Sequence, residues 1–213
     1  MKNKKILVLS VVGLLLLFVA GTYMYQDNQT KKMAAIAKEN AKLFERDYSV
    51  KIGNEDAKVQ LVEFFDPACG TCAQFHPYVK DILKKNDGNI RLVLRYAPFH
   101  KGSDNAVRML EAARKQGKFM EVLELMFRTQ QYWIKHHEVM PQMLWRVIYQ
   151  SKIVDMDKMA QDVKDPKINE IITQDLADAK KLGASKTPSY FVNTKPLQTF
   201  GLNQLKDLIN SEL

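Results

Sequence analysis

The chain has two cysteines, Cys69 and Cys72, and they stand where a predicted strand gives way to a predicted helix. Residues 59–65 are almost continuously apolar, which is typical of a central strand covered on both faces. Helical periodicity begins at the cysteines and continues to about Lys85. A disulfide between residues so near in sequence closes a very short loop and stabilises a fold little. The pair is therefore better suited to redox chemistry than to a structural cross-link.

The position of the cysteines predicts different roles for the two sulfurs. Cys69 opens the helix, where free backbone N–H groups and the helix dipole favour a thiolate over a thiol. Cys72 lies one turn further on and faces Cys69, so it is suited to resolving a mixed disulfide formed by Cys69. A zinc site would need four ligands, and the four histidines are scattered along the chain. We therefore expect no bound metal and no cofactor.

The order of the predicted elements defines the fold class. A second strand at residues 90–96 follows the first helix, and a strand–helix–strand order favours a parallel pair. Residues 103–182 are helical almost throughout, and two short strands at 189–192 and 197–200 precede a final helix from Leu202. The sequence therefore predicts an α/β protein with a mixed central sheet and a helical subdomain inserted at about residues 103–182.

Local signals mark the ends of several elements. Residues 51–56 carry the glycine, asparagine and aspartate typical of a turn. Ser103 and Asp104 are candidate N-caps for the first helix of the insertion. Asp155 and Asp165 predict further helix starts within it.

The N-terminal segment, residues 1–26, predicts export across a membrane. Three lysines near the start precede residues 6–25, which carry no charged side chain. About 20 apolar residues in a helix span the hydrocarbon core, and the lysines are expected to stay in the cytoplasm. Two interpretations stay open: an uncleaved signal anchor, or a signal peptide cut after Gly21. Both place the chain from about residue 27 onward outside the cytoplasm.

Residues 27–50 join this segment to the predicted domain. Within them an apolar stripe recurs near helical spacing among polar residues, at Met33, Ile36, Leu43 and Phe44. The segment is either a tether or a helix that pairs two protomers, since an exposed apolar stripe usually has a partner. A homodimer is therefore one expectation.

The charge of the chain gives no evidence for a nucleic-acid partner. The formal net charge is +8 at pH 7, and the basic residues are spread through helical patterns rather than clustered in one run. No motif combines basic and aromatic residues as nucleic-acid-binding modules do. We expect a solvated positive surface and no nucleic-acid partner.

Two segments resemble the bacterial DsbA-like thioredoxin-fold family. Residues 53–72, which end in Cys-Gly-Thr-Cys, are similar to that family's opening strand and active-site turn. Residues 183–193, Gly-Ala-Ser-Lys-Thr-Pro-Ser-Tyr-Phe-Val-Asn, resemble its cis-proline strand. The resemblance covers about residues 50–213. It implies a thioredoxin-like domain over residues 51–213 that contains the helical insertion, and a thiol–disulfide oxidoreductase activity.

The resemblance also implies roles for individual residues. Pro188 is expected to follow a cis peptide bond and to lie against the cysteine pair. Thr187 is expected to present its backbone to the substrate. Glu63, six residues before Cys69, matches the family's buried acid and is expected to take the proton from Cys72.

The dipeptide between the cysteines, Gly70-Thr71, leaves the direction of the reaction open. It differs from the Pro-His pair of the strongly oxidising relatives, and together with Thr187 it is closer to isomerase-type relatives, which dimerise through an N-terminal segment. We expect the chain to form or isomerise disulfides in exported proteins, in the periplasm or cell envelope, with a membrane redox partner. The alternatives are a reductase for one client protein, a copper-binding chaperone that adds His100 to the two thiolates, and a redox-silent scaffold tethered to the membrane.

Overall fold

The computed structural model describes residues 2–213, apart from the side chains of residues 2–9, 30, 33, 34, 36–39 and 41. The described helices are α1 Lys2–Glu39, α2 Ala41–Phe44, α3 Gly70–Lys85, α4 Ser103–Lys115, α5 Phe119–Arg128, α6 Gln130–Trp133, α7 Pro141–Ser151, α8 Met156–Asp162, α9 Pro166–Lys181 and α10 Leu202–Asn210. The strands are β1 Val50–Ile52, β2 Val59–Phe65, β3 Ile90–Tyr96, β4 Ile134–Lys135, β5 Glu138–Val139, β6 Ser189–Val192 and β7 Lys195–Pro196.

A five-stranded mixed sheet forms the centre of the fold, in the order β1–β3–β2–β6–β7. Strand β2 pairs in parallel with β3 and antiparallel with β6, while β1 and β7 add antiparallel strands at the two edges. Six helices lie in the chain between β3 and β6. The predicted α/β fold with a mixed sheet and a helical insertion is confirmed.

Strand β2 positions the cysteines because the chain continues directly from its end into the turn that carries them. Every residue of β2 except Gln60 is buried, so neither face of the strand is open to water. Antiparallel pairing places Ser189, the first residue of β6, opposite Phe64. The residues that precede β6 therefore lie beside the residues that follow β2.

Three short elements differ from the sequence-based prediction. Strand β1 begins at Val50 and occupies part of the predicted turn at residues 51–56, because it pairs with β3. Strands β4 and β5 form a small hairpin inside the insertion, where the sequence predicts helix. The last strand is β7 rather than residues 197–200. Strands of two or three residues are too short to show a periodicity in the sequence.

The helix starts in the insertion follow the predicted caps with one exception. Asp155 and Asp165 accept hydrogen bonds from backbone N–H groups in the first turns of α8 and α9. Ser103 does not act as a cap: it is fully buried, and its hydroxyl donates a hydrogen bond to Asp66. Gly102 precedes α4 instead, with a φ of 77° that suits glycine.

The packed domain includes residues N-terminal to its predicted start. Phe44 is fully buried, and its ring centroid lies 5.1 Å from that of Phe191. Leu43 is buried in the same cluster, against one face of the sheet. These two members of the predicted dimer stripe pack against their own domain. The side chains of the other two members, Met33 and Ile36, lie outside the described residues.

A buried ion-pair network holds this N-terminal segment on the domain. Arg95 of β3 is fully buried, and its guanidinium donates hydrogen bonds of 2.6 to 3.0 Å to Asp175 and Asp178 of α9. Arg46 donates two hydrogen bonds of 2.8 Å to Asp178. Arg95 also donates to the carbonyl of Leu43. The network joins the segment around Leu43 and Arg46 to both β3 and α9.

We expect Phe44→Ala to lower the free energy of unfolding by about 3–5 kcal/mol, because the substitution leaves a cavity against the sheet. Phe99→Ala is the control, since the Phe99 side chain is 46% exposed; we expect it to change stability by no more than about 0.5 kcal/mol. Urea unfolding of the full chain in detergent measures both. Equal losses in the two variants would contradict the role given to Phe44.

Helix α1 is continuous over residues that the sequence divides into an apolar segment and a stalk. Its stretch Ser10–Gln29 has a mean hydropathy of 1.2, and none of it is buried. By length and composition this helix can cross a membrane. The choice between a signal anchor and a cleaved signal peptide stays a prediction.

Candidate active site

The active-site turn, residues 66–69, joins the end of β2 to the start of α3. Cys69 directly precedes α3 and has an extended backbone, with φ −78° and ψ 119°. Its N–H donates to the carbonyl of Asp66 at 2.9 Å, and its own carbonyl accepts from the N–H of Ala73 at 3.2 Å. Cys69 is 6% exposed and Cys72 is fully buried, and both are free thiols.

The surroundings of Cys69 favour its thiolate. Its pKa is lowered from 9.0 to about 5, chiefly because the Cys72 side chain donates a hydrogen bond to its sulfur. Backbone N–H groups of Cys72 and Thr71, at the start of α3, act in the same direction, whereas burial opposes it. The shift has the direction expected for a cysteine at a helix N-terminus.

The surroundings of Cys72 have the opposite effect. Burial raises the pKa of its thiol well above 9.0, and the hydrogen bond to Cys69 and the charge of Glu63 raise it further. At neutral pH the pair therefore holds one thiolate, on Cys69, and one thiol, on Cys72. This asymmetry agrees with the roles that the sequence predicts for the two residues.

The segment before β6 reaches the cysteines, as the sheet pairing requires. The Thr187–Pro188 peptide bond is cis. The carbonyl oxygen of Thr187 lies 3.2 Å from Sγ of Cys69, within hydrogen-bond distance for sulfur. The structure thus brings Thr187 to the reactive sulfur, while its role in binding a substrate stays a prediction.

Glu63 lies in the interior beneath the turn. It is 3% exposed, and its Oε1 accepts a hydrogen bond of 3.1 Å from the hydroxyl of Tyr190, the residue opposite it on β6. Burial raises the pKa of Glu63 to about 8, and the charge of Cys69 adds to this. The carboxyl is therefore largely protonated at pH 7, and it responds to the charge of the cysteine pair.

Asp66 is part of the site, although the sequence analysis does not single it out. Its buried carboxylate accepts hydrogen bonds from the N–H groups of Ala68, at 2.8 Å, and His100, at 2.9 Å. The His100 ring nitrogen Nδ1 lies 2.7 Å from the same carboxylate, which also accepts the Ser103 hydroxyl. The bond to Ala68 is an Asx turn, for which the Asp-Pro dipeptide at 66–67 is the only local sequence signal.

Gln130 of α6 is the second residue of the site that the sequence does not reveal. Its side-chain Nε2 donates hydrogen bonds to the carbonyl of Pro67 at 2.9 Å and to the carbonyl of Cys69 at 3.1 Å. No local pattern identifies it, because the contact joins residues more than sixty positions apart.

His100 is the residue that the copper alternative adds to the two thiolates. In the structure it contacts the active-site turn through Asp66. Across the side chains that the structure describes, no group of three or more His, Cys, Asp or Glu residues is arranged to hold a metal ion.

Comparison with known proteins places this chain in a family. The model of a family described as Thioredoxin matches residues 45–211. A probable disulfide bond formation protein D from Bacillus cereus is 27% identical, over 100% of this chain and 99% of that protein. A Na(+)/H(+) antiporter NhaA from Herminiimonas arsenicoxydans is 31% identical over 68% of this chain, and the alignment spans only 22% of the antiporter.

Solved structures of similar proteins have the same thioredoxin-like fold. A thioredoxin-like oxidoreductase from Silicibacter pomeroyi is 28% identical, with a TM-score of 0.68 over 81% of this chain and 96% of that one. The BdbD protein of Bacillus subtilis is 22% identical, with a TM-score of 0.65 over 77% of this chain and 92% of that one. The chain therefore belongs to the Thioredoxin family, as a DsbA-like thioredoxin-fold oxidoreductase.

Proposed function

We propose that this chain oxidises thiols of exported proteins to disulfides, with Cys69 as the sulfur that bonds the substrate. One observation carries the oxidising direction: the pKa of Cys69 is lowered to about 5. Stabilising the thiolate stabilises the reduced enzyme, which makes its disulfide a stronger oxidant and Cys69 a better leaving group. The low pKa arises although no histidine stands between the cysteines.

In the proposed reaction the oxidised enzyme carries a Cys69–Cys72 disulfide. A substrate thiolate attacks Sγ of Cys69, and the electron pair of the broken bond leaves on Cys72. A second substrate thiolate then attacks the substrate sulfur of the mixed disulfide, which forms the substrate disulfide and releases Cys69 as a thiolate. Two electrons have passed to the cysteine pair, and a membrane redox partner must remove them.

Glu63 is proposed to exchange a proton with Cys72. Glu63 is largely protonated at neutral pH, with a pKa of about 8. The pKa of Cys72 is raised well above its usual value, so its thiolate is a strong base as it leaves. The proton therefore passes from Glu63 to Cys72 when the disulfide opens, and returns when Cys72 attacks in the reverse direction.

Thr187 and Pro188 are proposed to dock the substrate backbone. An extended peptide that pairs with the backbone of Thr187 brings its own cysteine close to Cys69, since the Thr187 carbonyl lies 3.2 Å from that sulfur. Beside this segment is a cavity of about 200 Å³ whose lining includes Pro188, Tyr190 and Phe200. Its aromatic walls suit an apolar side chain next to the substrate cysteine.

The proposed location is the cell envelope, with the domain outside the cytoplasm. Support comes from the apolar stretch Ser10–Gln29 and from the Bacillus cereus relative, whose alignment covers the whole chain. A homodimer, which would suit an isomerase, has less support, because Leu43 and Phe44 are already buried in their own domain. Isomerisation itself is favoured only by the resemblance of Gly70-Thr71 and Thr187 to isomerase-type relatives.

The reduction potential separates the possible directions. We expect the Cys69–Cys72 couple, equilibrated with glutathione and followed by mass spectrometry, to have a potential near about −120 mV, as an oxidase does, whereas a potential near about −180 mV would indicate an isomerase. The reason is the stabilised thiolate of Cys69. A potential near about −270 mV is typical of reductases and would replace the oxidising proposal with the client-specific reductase.

A further inference from the structure

Gln130 belongs to α6 in the inserted helical subdomain, and its side chain contacts the active-site turn. Its single Nε2 donates to the carbonyls of Pro67 and Cys69, at 2.9 and 3.1 Å. An amide nitrogen carries two hydrogens, so both hydrogen bonds form at once. We propose that Gln130 is a positioning residue that holds the backbone of Cys69 in the orientation that stabilises its thiolate. The proposal rests on the exchange activity proposed for Cys69.

The peptide unit between Cys69 and Gly70 requires such support. Glycine has the greatest backbone freedom of any residue, and here it directly follows the reactive cysteine. Apart from the neighbouring residues and the backbone of α3, the nearest heavy atom to the position of a Cβ on Gly70 is Oε1 of Gln130, at 4.0 Å. The Gln130 amide therefore lies against this peptide unit, and its bond to the Cys69 carbonyl restrains rotation of the peptide plane.

The orientation of this peptide unit decides how well the sulfur is stabilised. The backbone N–H groups of Thr71 and Cys72, at the start of α3, lower the pKa of Cys69. The angle between those N–H groups and the sulfur depends on the backbone of Cys69. The backbone carbonyl of Asp66 accepts a hydrogen bond of 2.9 Å from the N–H of Cys69, and the Gln130 side chain donates one to the carbonyl of Cys69. Among the described residues, the Ala73 N–H is the one other donor to that carbonyl, so it alone would remain without Gln130.

The chain offers a matched control for this contact. Gln131 follows Gln130 in the same four-residue helix, but its side chain is exposed. Methionine has nearly the length of glutamine, is uncharged and carries no N–H donor. Gln130→Met therefore removes the two hydrogen bonds at nearly constant volume, and Gln131→Met makes the same chemical change without them.

The test is the pH dependence of iodoacetamide labelling of Cys69, located by mass spectrometry, in the reduced full chain in detergent. We expect Gln130→Met to raise the midpoint of Cys69 labelling by about one pH unit. At pH values well below the midpoint, the fraction of Cys69 present as thiolate is then about tenfold smaller. The same tenfold change lowers the reduction potential by about 30 mV. We expect Gln131→Met to match the wild-type chain in both measurements. Gln130→Ser, a smaller side chain that does not reach the two carbonyls, is expected to repeat the shift.

Three outcomes would overturn the proposal. The first is an unchanged midpoint in Gln130→Met, even with a lower thermal unfolding temperature, since that describes a purely structural contact. The second is an equal shift in the Gln131 variant. The third is loss of folding in both Gln130 variants. Failure of the proposed function is a separate result: the wild-type chain would then label normally at Cys69 but catalyse no exchange with a model disulfide.

Discussion

Cys69→Ser is expected to reduce disulfide exchange to the uncatalysed background, whereas Cys72→Ser is expected to accumulate mixed disulfides. A serine hydroxyl in place of the Cys69 thiol forms no disulfide, so this variant has no step by which to engage a substrate. In the Cys72 variant the thiolate of Cys69 still attacks substrate disulfides. Because the resolving thiol is missing, the covalent intermediate persists.

Non-reducing gel electrophoresis with a disulfide-containing model substrate measures both outcomes. Adducts are expected with Cys72→Ser and with no other single cysteine variant, and a thiol reductant should dissolve them. Circular dichroism provides the control that both variants fold. Adducts formed through Cys72 in the Cys69→Ser chain would reverse the roles assigned to the two sulfurs.

The pH dependence of labelling tests the same assignment without a substrate. The thiolate is the nucleophile, so the rate of Cys69 alkylation should rise with pH and level off above about pH 5, where its pKa lies. Cys72 should be labelled slowly at neutral pH, because its pKa is raised and it is fully buried. Faster labelling at Cys72 would contradict the order of events proposed above.

The sequence predicts those parts of this fold whose signals are local. Strand β2 is visible because seven successive residues are nearly all apolar, and α3 because its periodicity begins at the cysteines. Asp155 and Asp165 cap their helices through neighbouring N–H groups, which a short sequence window contains. Cys69 and Cys72 belong to the same class, since strand, cysteine pair and helix are adjacent in the chain.

The parts that the sequence does not predict depend on distant pairing. Strand β1 exists because its three residues pair with β3, about forty positions later in the chain. Phe44 is interpreted from sequence as part of an exposed stripe, yet it is buried because Phe191 lies beside it in the fold. Gln130 reaches Cys69 across 61 positions, and an isolated glutamine carries no sign of that contact. Such contacts become visible only when the sheet order and the packing of the insertion are known.

The sequence predicts Glu63 only in part. Its spacing from Cys69 suggests a role by resemblance, but its burial and its partner Tyr190 come from the pairing of β2 with β6. Burial raises its pKa from 4.5 to about 8, and this shift carries a consequence for stability. Below about pH 4.5 the carboxyl is protonated in both the folded and the unfolded chain, so burial of a charge costs nothing there. Above that pH the unfolded chain releases the proton while the folded chain keeps it.

Glu63 alone is therefore expected to lower the free energy of unfolding by about 1.4 kcal/mol per pH unit as pH rises from about 4.5 to about 8. Ionisation of Cys69 acts in the opposite direction above about pH 5 in both chains, so the Glu63 contribution is measured as a difference between a variant and wild type. Glu63→Gln keeps an oxygen that accepts the Tyr190 hydroxyl but does not titrate. Relative to wild type, the variant should gain about 3–5 kcal/mol of unfolding free energy between pH 4.5 and pH 8. At the same time it should slow exchange by about 10²–10⁴-fold, because the amide does not pass a proton to Cys72.

Urea unfolding of the reduced full chain in detergent, at pH steps between 4 and 8, measures the stability difference, and turnover of a dithiol peptide measures the activity. Glu55→Gln is the matched control, since Glu55 is exposed and its variant should follow wild type at every pH. A stability difference that stays flat across this range would show that folding does not raise the pKa of Glu63. A variant that gains stability with rising pH but keeps full activity would separate the two effects: Glu63 would then be a buried carboxyl that weakens the fold at neutral pH without serving Cys72.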